Sequence, residues 1–215
     1  MTVRSYVSPG RAAAAIATRA RVIDAATELL RNEERAEAMS LESAAKAAGV
    51  TRATVYNQFG SRRGLLEAVF DARAKEGGLF RIASAMALGD PLESLHEVIR
   101  IFCDFWSFDP AIGRLNTTAS RDAEFAQAIA ERNERRRKVL RSVVGRLHRA
   151  GLVREKARRD VVDLLFAFTS WAMFDQLRRG DRNVRAVCAL IVSACDAAVA
   201  AAAPGRRSVH PAKAP

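Results

Sequence analysis

Histidine and cysteine are scarce in this sequence of 215 residues, which contains three of each. The histidines are isolated from one another, and no C-x-x-C pair or H-x-x-x-H motif is present. Metal sites and nucleophilic catalysis usually need such residues in spaced sets. Because no pair of carboxylates stands at a telling spacing either, we expect no metal, no other cofactor and no enzymatic activity.

The cysteines also exclude a disulfide framework, because their number is odd. No basic residue flanks Cys188 or Cys195 closely enough to argue for a reactive thiolate. We therefore interpret these two and Cys103 as small buried apolar side chains, with a thiol sensor as the alternative.

Long apolar runs are missing as well. No apolar stretch unbroken by charge is long enough to span a bilayer, and the first ten residues lack the apolar segment of a secretory signal. A cytoplasmic protein without a membrane partner is expected. Strand-like alternation, internal repeats and Gly-rich phosphate loops are also absent, so the helical periodicity along the chain predicts an all-α fold.

Acidic residues are outnumbered, and the formal net charge of +11 favours a polyanionic partner. The excess is concentrated in residues 132–159, which hold 12 Lys/Arg and 2 Asp/Glu. We interpret the basic run 135–138 as a solvated helix face, with a second DNA site or a membrane site as the alternative. Basicity alone therefore does not locate a nucleic-acid contact.

Residues 40–59 predict two short helices joined by a tight turn. Ser40 can cap the first helix, and Gly49 stands where that helix must end. Thr51 can cap the second helix, while Val55 and Phe59 return to the core. The polar side chains left outward on the second helix are typical of the recognition element of a helix-turn-helix.

Residues 54–66, Thr-Val-Tyr-Asn-Gln-Phe-Gly-Ser-Arg-Arg-Gly-Leu-Leu, resemble the signature of the TetR (tetracycline-repressor-like) family of bacterial transcription regulators. Residues 21–30 also resemble that family, and the likeness covers roughly residues 18–70. It implies a homodimeric repressor that binds a near-palindromic operator in double-stranded DNA and that a small-molecule effector releases. The residues expected to bind DNA are Ser40, Lys46, Thr51, Arg52, Thr54, Tyr56, Asn57, Gln58, Arg62 and Arg63.

The expected organisation is an N-terminal three-helix helix-turn-helix DNA-binding domain followed by a helical ligand-binding and dimerisation domain. The predicted ranges are 1–17 for a flexible basic arm, 18–76 for the DNA-binding domain, 77–203 for the second domain and 204–215 for a disordered tail. The arm is interpreted either as a DNA contact or as a solvated tail. Gly77 and Gly78 are expected to mark the boundary or a hinge.

The last two predicted helices, 157–179 and 182–203, are unusually apolar. The first is apolar nearly all round, which favours burial on more than one side and hence a second subunit. The alternative is the core of a monomer. The residues expected at a dimer interface are Phe166, Val187, Cys188, Ile191, Ala194, Cys195 and Ala198.

Aromatic residues are concentrated in the predicted helices 91–108 and 157–179. If these helices face each other, they line an apolar cavity, and the family resemblance implies an effector there. The alternative is an ordinary aromatic core. The residues expected at the pocket are Phe102, Phe105, Trp106, Phe168, Trp171 and Phe174.

Three functions are therefore weighed. The first is a DNA-binding regulator released from its operator by a small apolar or amphipathic ligand. The second is a dimeric DNA-binding regulator without a small-molecule ligand, and the third is a helical carrier or enzyme. Release of DNA by a ligand separates the first two, and sequence-specific binding of a duplex argues against the third.

Overall fold

The structure is a computed structural model that describes residues 9–32, 36, 39–119, 123–180 and 182–204. Within these residues every regular element is helical, which confirms the all-α prediction. The helices are α1 (Pro9–Arg31), α2 (Leu41–Ala48), α3 (Arg52–Phe59), α4 (Arg62–Glu76), α5 (Ile82–Ala87), α6 (Pro91–Phe108), α7 (Pro110–Ala119), α8 (Ala123–Arg149), α9 (Arg158–Phe168), α10 (Trp171–Arg178) and α11 (Val184–Ala201). Short 3₁₀ helices span Leu79–Arg81 and Glu155–Ala157.

Two boundaries differ from the sequence prediction. Helix α1 begins at Pro9 rather than at residue 18, so residues 9–17 of the predicted flexible arm are helical. Proline suits a first helical position, and the alanines that follow have the highest helix propensity. Residues 1–8 of the arm and 205–215 of the predicted tail lie outside the described residues.

The predicted helix 157–179 is two helices, α9 and α10. The hydroxyl of Thr169 donates to the carbonyl of Leu165 at 2.8 Å, which competes with continuation of the backbone ladder. Ser170 then has an extended backbone, and its Oγ accepts from the N–H of Met173 at 3.2 Å. The pair 169–170 therefore ends one helix and caps the next.

The chain divides into two compact units, of which the first comprises the described residues within 9–80 and 104–133. In this unit α1 packs against α2, α4 and α7, and α2 packs against α3. Its core includes the fully buried side chains of Val22, Ala26, Leu30, Val55 and Leu65. Gly77 and Gly78 are buried inside this unit, and the division falls after Phe80.

A buried cluster of charges lies in the first unit. Asp109 is 3% exposed, and its carboxylate accepts from Arg31 Nη2 at 2.6 Å and from Arg73 Nη1 at 3.4 Å. The other carboxylate oxygen accepts from the N–H of Ala111 at 2.9 Å. The cluster ties α1, α4 and the start of α7 together.

The second unit comprises the described residues within 81–103 and 134–204, and in it α9 packs against α11. Cys195 is fully buried there, and burial, with a smaller contribution from Asp196, raises the pKa of its thiol to about 12. A thiol with that pKa is protonated at neutral pH and is a poor nucleophile. Cys103 is also buried, whereas Cys188 is half-buried.

Candidate nucleic-acid interface

Side-chain caps fix the first helix of the helix-turn-helix. Ser40 Oγ accepts from the N–H of Ser43 at 3.1 Å, and Ser43 Oγ accepts from the N–H of Ser40 at 2.8 Å. This reciprocal pair is a capping box. At the other end Gly49 adopts a left-handed conformation with φ of 64°, which residues with a Cβ rarely adopt.

The recognition helix α3 is held by one end and one face. Thr51 Oγ1 accepts from the N–H of Thr54 at 3.1 Å, which satisfies a donor that would otherwise lack a partner at the helix start. The side chain of Val55 is fully buried against the first unit's core. Because Val55 faces inward, the side chains on the opposite face of this short helix point to solvent.

The predicted reading residues lie on that outer face. Arg52, Tyr56 and Asn57 are exposed, and Tyr56 is 59% exposed despite its large ring. Thr54 and Gln58 are half-buried, and the hydroxyls of Thr51 and Thr54 lie 2.9 Å apart. An exposed row of guanidinium, phenol and amide groups on a short helix presents the donors and acceptors that contact bases and phosphates.

Arg19, which sequence reasoning missed, anchors the recognition helix to α1. Its guanidinium donates from Nη1 to the carbonyl of Gln58 at 2.8 Å and lies 4.4 Å from the ring centroid of Phe59. One residue thus binds the last backbone turn of α3 and covers its final aromatic side chain. Arg19 falls three and seven residues before Val22 and Ala26, and this shared helical face is the signal that could have found it.

The start of α4 follows α3 with very close backbone contact. Ser61 Oγ accepts from the N–H of Gly64 at 3.0 Å. A Cβ added to Gly64 would lie 2.1 Å from the carbonyl oxygen of Phe59, a distance that no side chain can occupy. Glycine at this position therefore permits the sharp passage from α3 into α4.

The two arginines that were expected to contact phosphate at α4 are also held by the protein. Arg62 Nε donates to the carbonyl of Met39 at 2.8 Å, and Arg63 Nε donates to Glu67 Oε1 at 2.6 Å. These contacts orient both guanidinium groups at the positive end of the helix dipole. Arg62 thus supports the turn region from within as well as lying at the candidate interface.

Two cations at the interface have no carboxylate within ion-pair distance among the described residues. Lys46 in α2 and Arg52 in α3 are both exposed, and neither forms a salt bridge with any residue that the structure describes. A solvated cation with no carboxylate partner is available to a phosphate or to a guanine edge. The same part of the chain contains no group of His, Cys, Asp or Glu that could hold a metal ion.

The residues predicted for an effector pocket belong to different units. Phe105 and Trp106 are in the first unit, where their ring centroids are 4.8 Å apart and Phe70 lies 5.8 Å from Phe105. The residues Phe102, Phe168, Trp171 and Phe174 are in the second unit. There the rings of Trp171 and Phe174 are 6.2 Å apart, and Phe174 is fully buried.

The residues predicted for a dimer interface also divide into two sets. Val187, Ile191 and Cys195 are buried within the protomer on the inner face of α11. Their surface is already covered by the same chain, so it adds no contact area for a partner. Half-buried members are Phe166, Cys188, Ala194 and Ala198. The large apolar side chains left outward in these helices are Leu164 and Leu190, which are 43% and 44% exposed.

The comparisons agree with this geometry. Residues 22–69 match the family model of the bacterial regulatory proteins of the tetR family, and that range contains α2 and α3. No curated protein matches the chain.

Solved structures show that the likeness extends over most of the fold. A transcriptional regulator of the TetR/AcrR family from Thermobifida fusca is 20% identical with a TM-score of 0.63, covering 82% of this chain and 95% of that chain. The fatty acid degradation regulator FadR from Bacillus halodurans is 19% identical with a TM-score of 0.64, covering 85% and 94%. A protein from Saccharomonospora viridis, solved in complex with choline, is 14% identical with a TM-score of 0.63, covering 85% and 95%. At these identities the likeness shows the fold alone.

Proposed function

This chain belongs to the TetR family of bacterial regulatory proteins through residues 22–69, and we propose that it is a cytoplasmic, homodimeric repressor. It binds a near-palindromic operator through α3 and leaves it when a small apolar or amphipathic molecule binds. The observation that carries the DNA-binding part is the exposed polar row of α3 between buried Val55 and the anchor formed by Arg19. A rigid helix with a polar outer face is what entry into a major groove requires.

The side chains of the candidate interface have separate roles in this proposal. Arg52, Thr54 and Asn57 reach base edges, while Tyr56 binds a phosphate. Four residues position the backbone of the duplex: Ser40 at the start of α2, Lys46 in its last turn, and Arg62 and Arg63 at the start of α4. Thr51 and Gln58 lie at the edges of α3. Phosphate contacts set the register and base contacts set the sequence preference, so the two groups differ in what their loss does.

A binding experiment separates these roles. Arg52→Ala should weaken operator binding by about 1–3 kcal/mol and relax the preference at one base pair, if the guanidinium reads a guanine. Tyr56→Phe should weaken all duplexes alike, because it removes a hydrogen bond to phosphate. Lys75→Ala is the control, since it removes one exposed cation at the other end of α4. Operator affinity that is the same in Arg52→Ala and in the control would contradict the proposal.

The dimer is supported by the composition and exposure of α11. This helix has a mean hydropathy of 1.9 over 18 residues, yet only 22% of it is buried within the protomer. By length and composition alone it could cross a membrane, but helices that pack inside soluble proteins pass the same test. In a protein that binds DNA, the outward apolar face favours a second copy as its cover.

Sedimentation tests that interface at Leu190, the exposed large apolar side chain of α11. Leu190→Glu would bury an unpaired charge in the proposed dimer interface. The substitution should cost several kcal/mol of association free energy and should give monomers. Arg185→Glu, at an exposed position near the start of the same helix, controls for added negative charge. A dimer that survives Leu190→Glu unchanged would move the interface to another surface.

The effector part of the proposal is supported by the choline complex of the related fold and by the aromatic residues of the second unit. We propose that the effector contacts Phe168, Trp171 and Phe174, with Phe102 in the same unit and Phe105 and Trp106 responding to its binding. The chain has two tryptophans, so intrinsic fluorescence reports binding without a label. Trp171→Phe and Trp106→Phe assign the signal to one ring.

Linkage supplies the decisive measurement. A hundredfold loss of DNA affinity requires a coupling free energy of about 2.7 kcal/mol, and operator DNA must weaken effector binding by the same factor. Titration of a compound with and without operator at fixed salt tests this reciprocity. Equal affinities in the two titrations would exclude that compound as an inducer. A broad screen without fluorescence or thermal-shift changes would favour the regulator that has no ligand.

A further inference from the structure

A cleft of about 690 Å³ lies in the second unit, between the middle of α8, the 3₁₀ helix Glu155–Ala157 and the start of α9. It is separate from the recognition helix and from the aromatic residues assigned to the effector. Its rim carries five basic side chains, which are Arg137, Arg141, Lys156, Arg158 and Arg159. Only two carboxylates, Glu155 and Asp163, line the same cleft.

Those two carboxylates do not neutralise the rim. Asp163 is in contact with Arg137, and Glu155 accepts from Arg158 at 2.9 Å. Arg141 lies 3.5 Å from Glu134, a carboxylate outside the cleft lining. Lys156 and Arg159 remain, and both are exposed without a carboxylate within ion-pair distance among the described residues. The cleft therefore keeps a positive potential, which concave low-dielectric walls strengthen.

The rest of the basic stretch 132–159 explains why the surplus charge collects here. Arg136, Arg146 and Arg154 each donate to backbone carbonyl oxygens of their own unit, so their charges serve the fold. Lys156 and Arg159 have no such contact to a carbonyl in the described residues. The sequence does not distinguish these cations, whereas in the structure Lys156 and Arg159 are the two at the cleft that no carboxylate or carbonyl contact among the described residues compensates.

The start of α9 adds to the same potential. The 3₁₀ helix Glu155–Ala157 runs into α9, and Arg158 and Arg159 occupy the first turn of α9 together with the acidic Asp160. Cations are disfavoured at this end of a helix, where the macrodipole is positive. An anion in the cleft would relieve the repulsion among the basic side chains.

The floor of the cleft is apolar, because Val144 and Val162 line it and are nearly buried. We propose that the cleft binds a small organic anion that joins a phosphate group to an apolar portion. The phosphate lies between Lys156 and Arg159, and the apolar portion extends into the cleft toward Val144 and Val162. A concave site with an apolar floor suits a small molecule better than the backbone of a duplex.

Calorimetry with three probes tests the ligand chemistry on the full-length protein at low, fixed salt. Hexyl phosphate should bind saturably, with one molecule for each chain. Methyl phosphate should bind at least about tenfold more weakly, because it lacks the methylene groups that hexyl phosphate would transfer from water into the cleft. Hexanol should not bind measurably, because it lacks the charge. Equal affinity for hexyl and methyl phosphate, or binding without saturation, would overturn the proposal.

A matched pair of double variants locates the site. Lys156→Gln/Arg159→Gln should weaken hexyl phosphate binding by at least about tenfold, since both proposed phosphate ligands lose their charge. Arg135→Gln/Lys138→Gln removes the same charge from exposed positions of α8 that do not line the cleft, and it should bind hexyl phosphate like the wild type. Thermal unfolding checks that both variants remain folded.

Two outcomes would contradict the site. Hexyl phosphate that binds equally to the cleft variant and to the wild type places the ligand elsewhere. A cleft variant that loses affinity for duplex DNA of arbitrary sequence while retaining hexyl phosphate binding identifies the rim as a polyanion surface. Neither outcome depends on operator recognition by α3, so the repressor proposal and this one succeed or fail separately.

Discussion

Each compact unit buries an arginine side chain, Arg73 in the first and Arg136 in the second, but the two units compensate the charge in different ways. The first unit uses a carboxylate, because Asp109 accepts from both Arg31 and Arg73. The second unit uses neutral oxygens: Arg136 Nη1 donates to the carbonyl of Phe166 at 2.7 Å and to Thr169 Oγ1 at 2.8 Å. These two oxygens lie at the end of α9, where the helix macrodipole is negative.

The pKa values of the charged groups differ between the two units for the same reason. Burial raises the pKa of Asp109, but hydrogen bonds from Arg31 and the Ala111 N–H outweigh it, and the pKa ends below its usual value. The same contact raises the pKa of Arg31. In the second unit burial, followed by repulsion from Arg137, lowers the pKa of Arg136 to about 10. A carboxylate therefore holds its arginines charged more firmly than carbonyl oxygens do.

The largest effect is expected from Asp109→Asn. The substitution preserves shape but removes the buried carboxylate that Arg31 and Arg73 share, so each arginine keeps only a partly exposed partner, Glu28 or Glu76. The loss should be about 3 kcal/mol of unfolding free energy, at the lower end of the range for a broken buried pair. Denaturant unfolding of the variant measures the loss. An Asp109→Asn protein as stable as the wild type would show that the shared carboxylate does not stabilise the first unit.

The same cluster gives a dependence on acid. Because the pKa of Asp109 is lower in the folded protein than in the unfolded chain, its contribution is complete above the unfolded value and disappears as pH falls through the folded value. The stability difference between wild type and Asp109→Asn should thus shrink below about pH 4. A difference that stays constant down to pH 2 would contradict the ion cluster as its source.

An intermediate effect is expected from Arg146→Met in the second unit. Arg146 donates to the carbonyls of Met86 at 2.9 Å and Gly89 at 3.2 Å, to that of Leu88, and to Ser94 Oγ at 3.0 Å. Loss of this set should cost about 2–3 kcal/mol, since each net hydrogen bond contributes about 1 kcal/mol. Arg149→Met, which loses only one long bond within its own helix, is the control. Equal losses of unfolding free energy in Arg146→Met and Arg149→Met would contradict a stabilising role for the Arg146 hydrogen bonds.

A smaller effect, with a distinct pH signature, is expected from Arg136→Met. With a folded pKa of about 10, the charged form of Arg136 is disfavoured by folding at neutral pH. The wild type should therefore gain up to about 1.4 kcal/mol per pH unit, relative to the variant, as pH rises from 10 to 11. The difference between their unfolding free energies at the two pH values isolates this group from other titrations. An invariant difference would show that Arg136 keeps an ordinary pKa.

The smallest effect is expected from Asp71→Asn, which tests whether burial matters more than pairing. Asp71 accepts from Arg132 Nη2 at 2.8 Å, but its side chain is 61% exposed. Exposed pairs contribute about 0–1 kcal/mol, so the loss should be well under that of Asp109→Asn. Denaturant unfolding of both variants under the same conditions gives the ratio. A comparable loss in the two variants would mean that solvent exposure does not set the strength of these pairs.

The sequence allowed the all-α fold to be predicted, together with the caps of the helix-turn-helix, because those features are local. Ser40, Thr51 and Ser61 each bond a backbone N–H three residues ahead, a spacing that is visible in the sequence. The anchor formed by Arg19 was not visible in that way, because its partner is a backbone carbonyl 39 residues away. Side-chain patterns carry no information about which carbonyl a distant guanidinium will meet.

Hydrophobic periodicity identifies an apolar helix face but does not show whether the same chain or a second subunit covers it. The face of α11 that contains Val187, Ile191 and Cys195 is apolar, as the sequence predicts, but the same chain buries these three side chains. Likewise, the start of α1 lacks a clear apolar stripe, so periodicity placed it outside the helix while alanine propensity extends the helix to Pro9. Helix propensity determined where α1 begins, and packing within the chain determined which face of α11 is buried. Hydrophobic periodicity predicts neither.

The close passage from α3 to α4 has a consequence for how this protein tolerates mutation. Every replacement of Gly64 adds at least a Cβ, which would fall 2.1 Å from the carbonyl oxygen of Phe59. Its neighbours Arg63 and Glu67 carry side chains that reach solvent. In a library that samples every amino acid at each position, selected for stable folding and not for DNA binding, position 64 should retain glycine alone while positions 63 and 67 diversify. One backbone contact thereby restricts position 64 of α4 to glycine, while the neighbouring exposed positions tolerate substitution without loss of the fold.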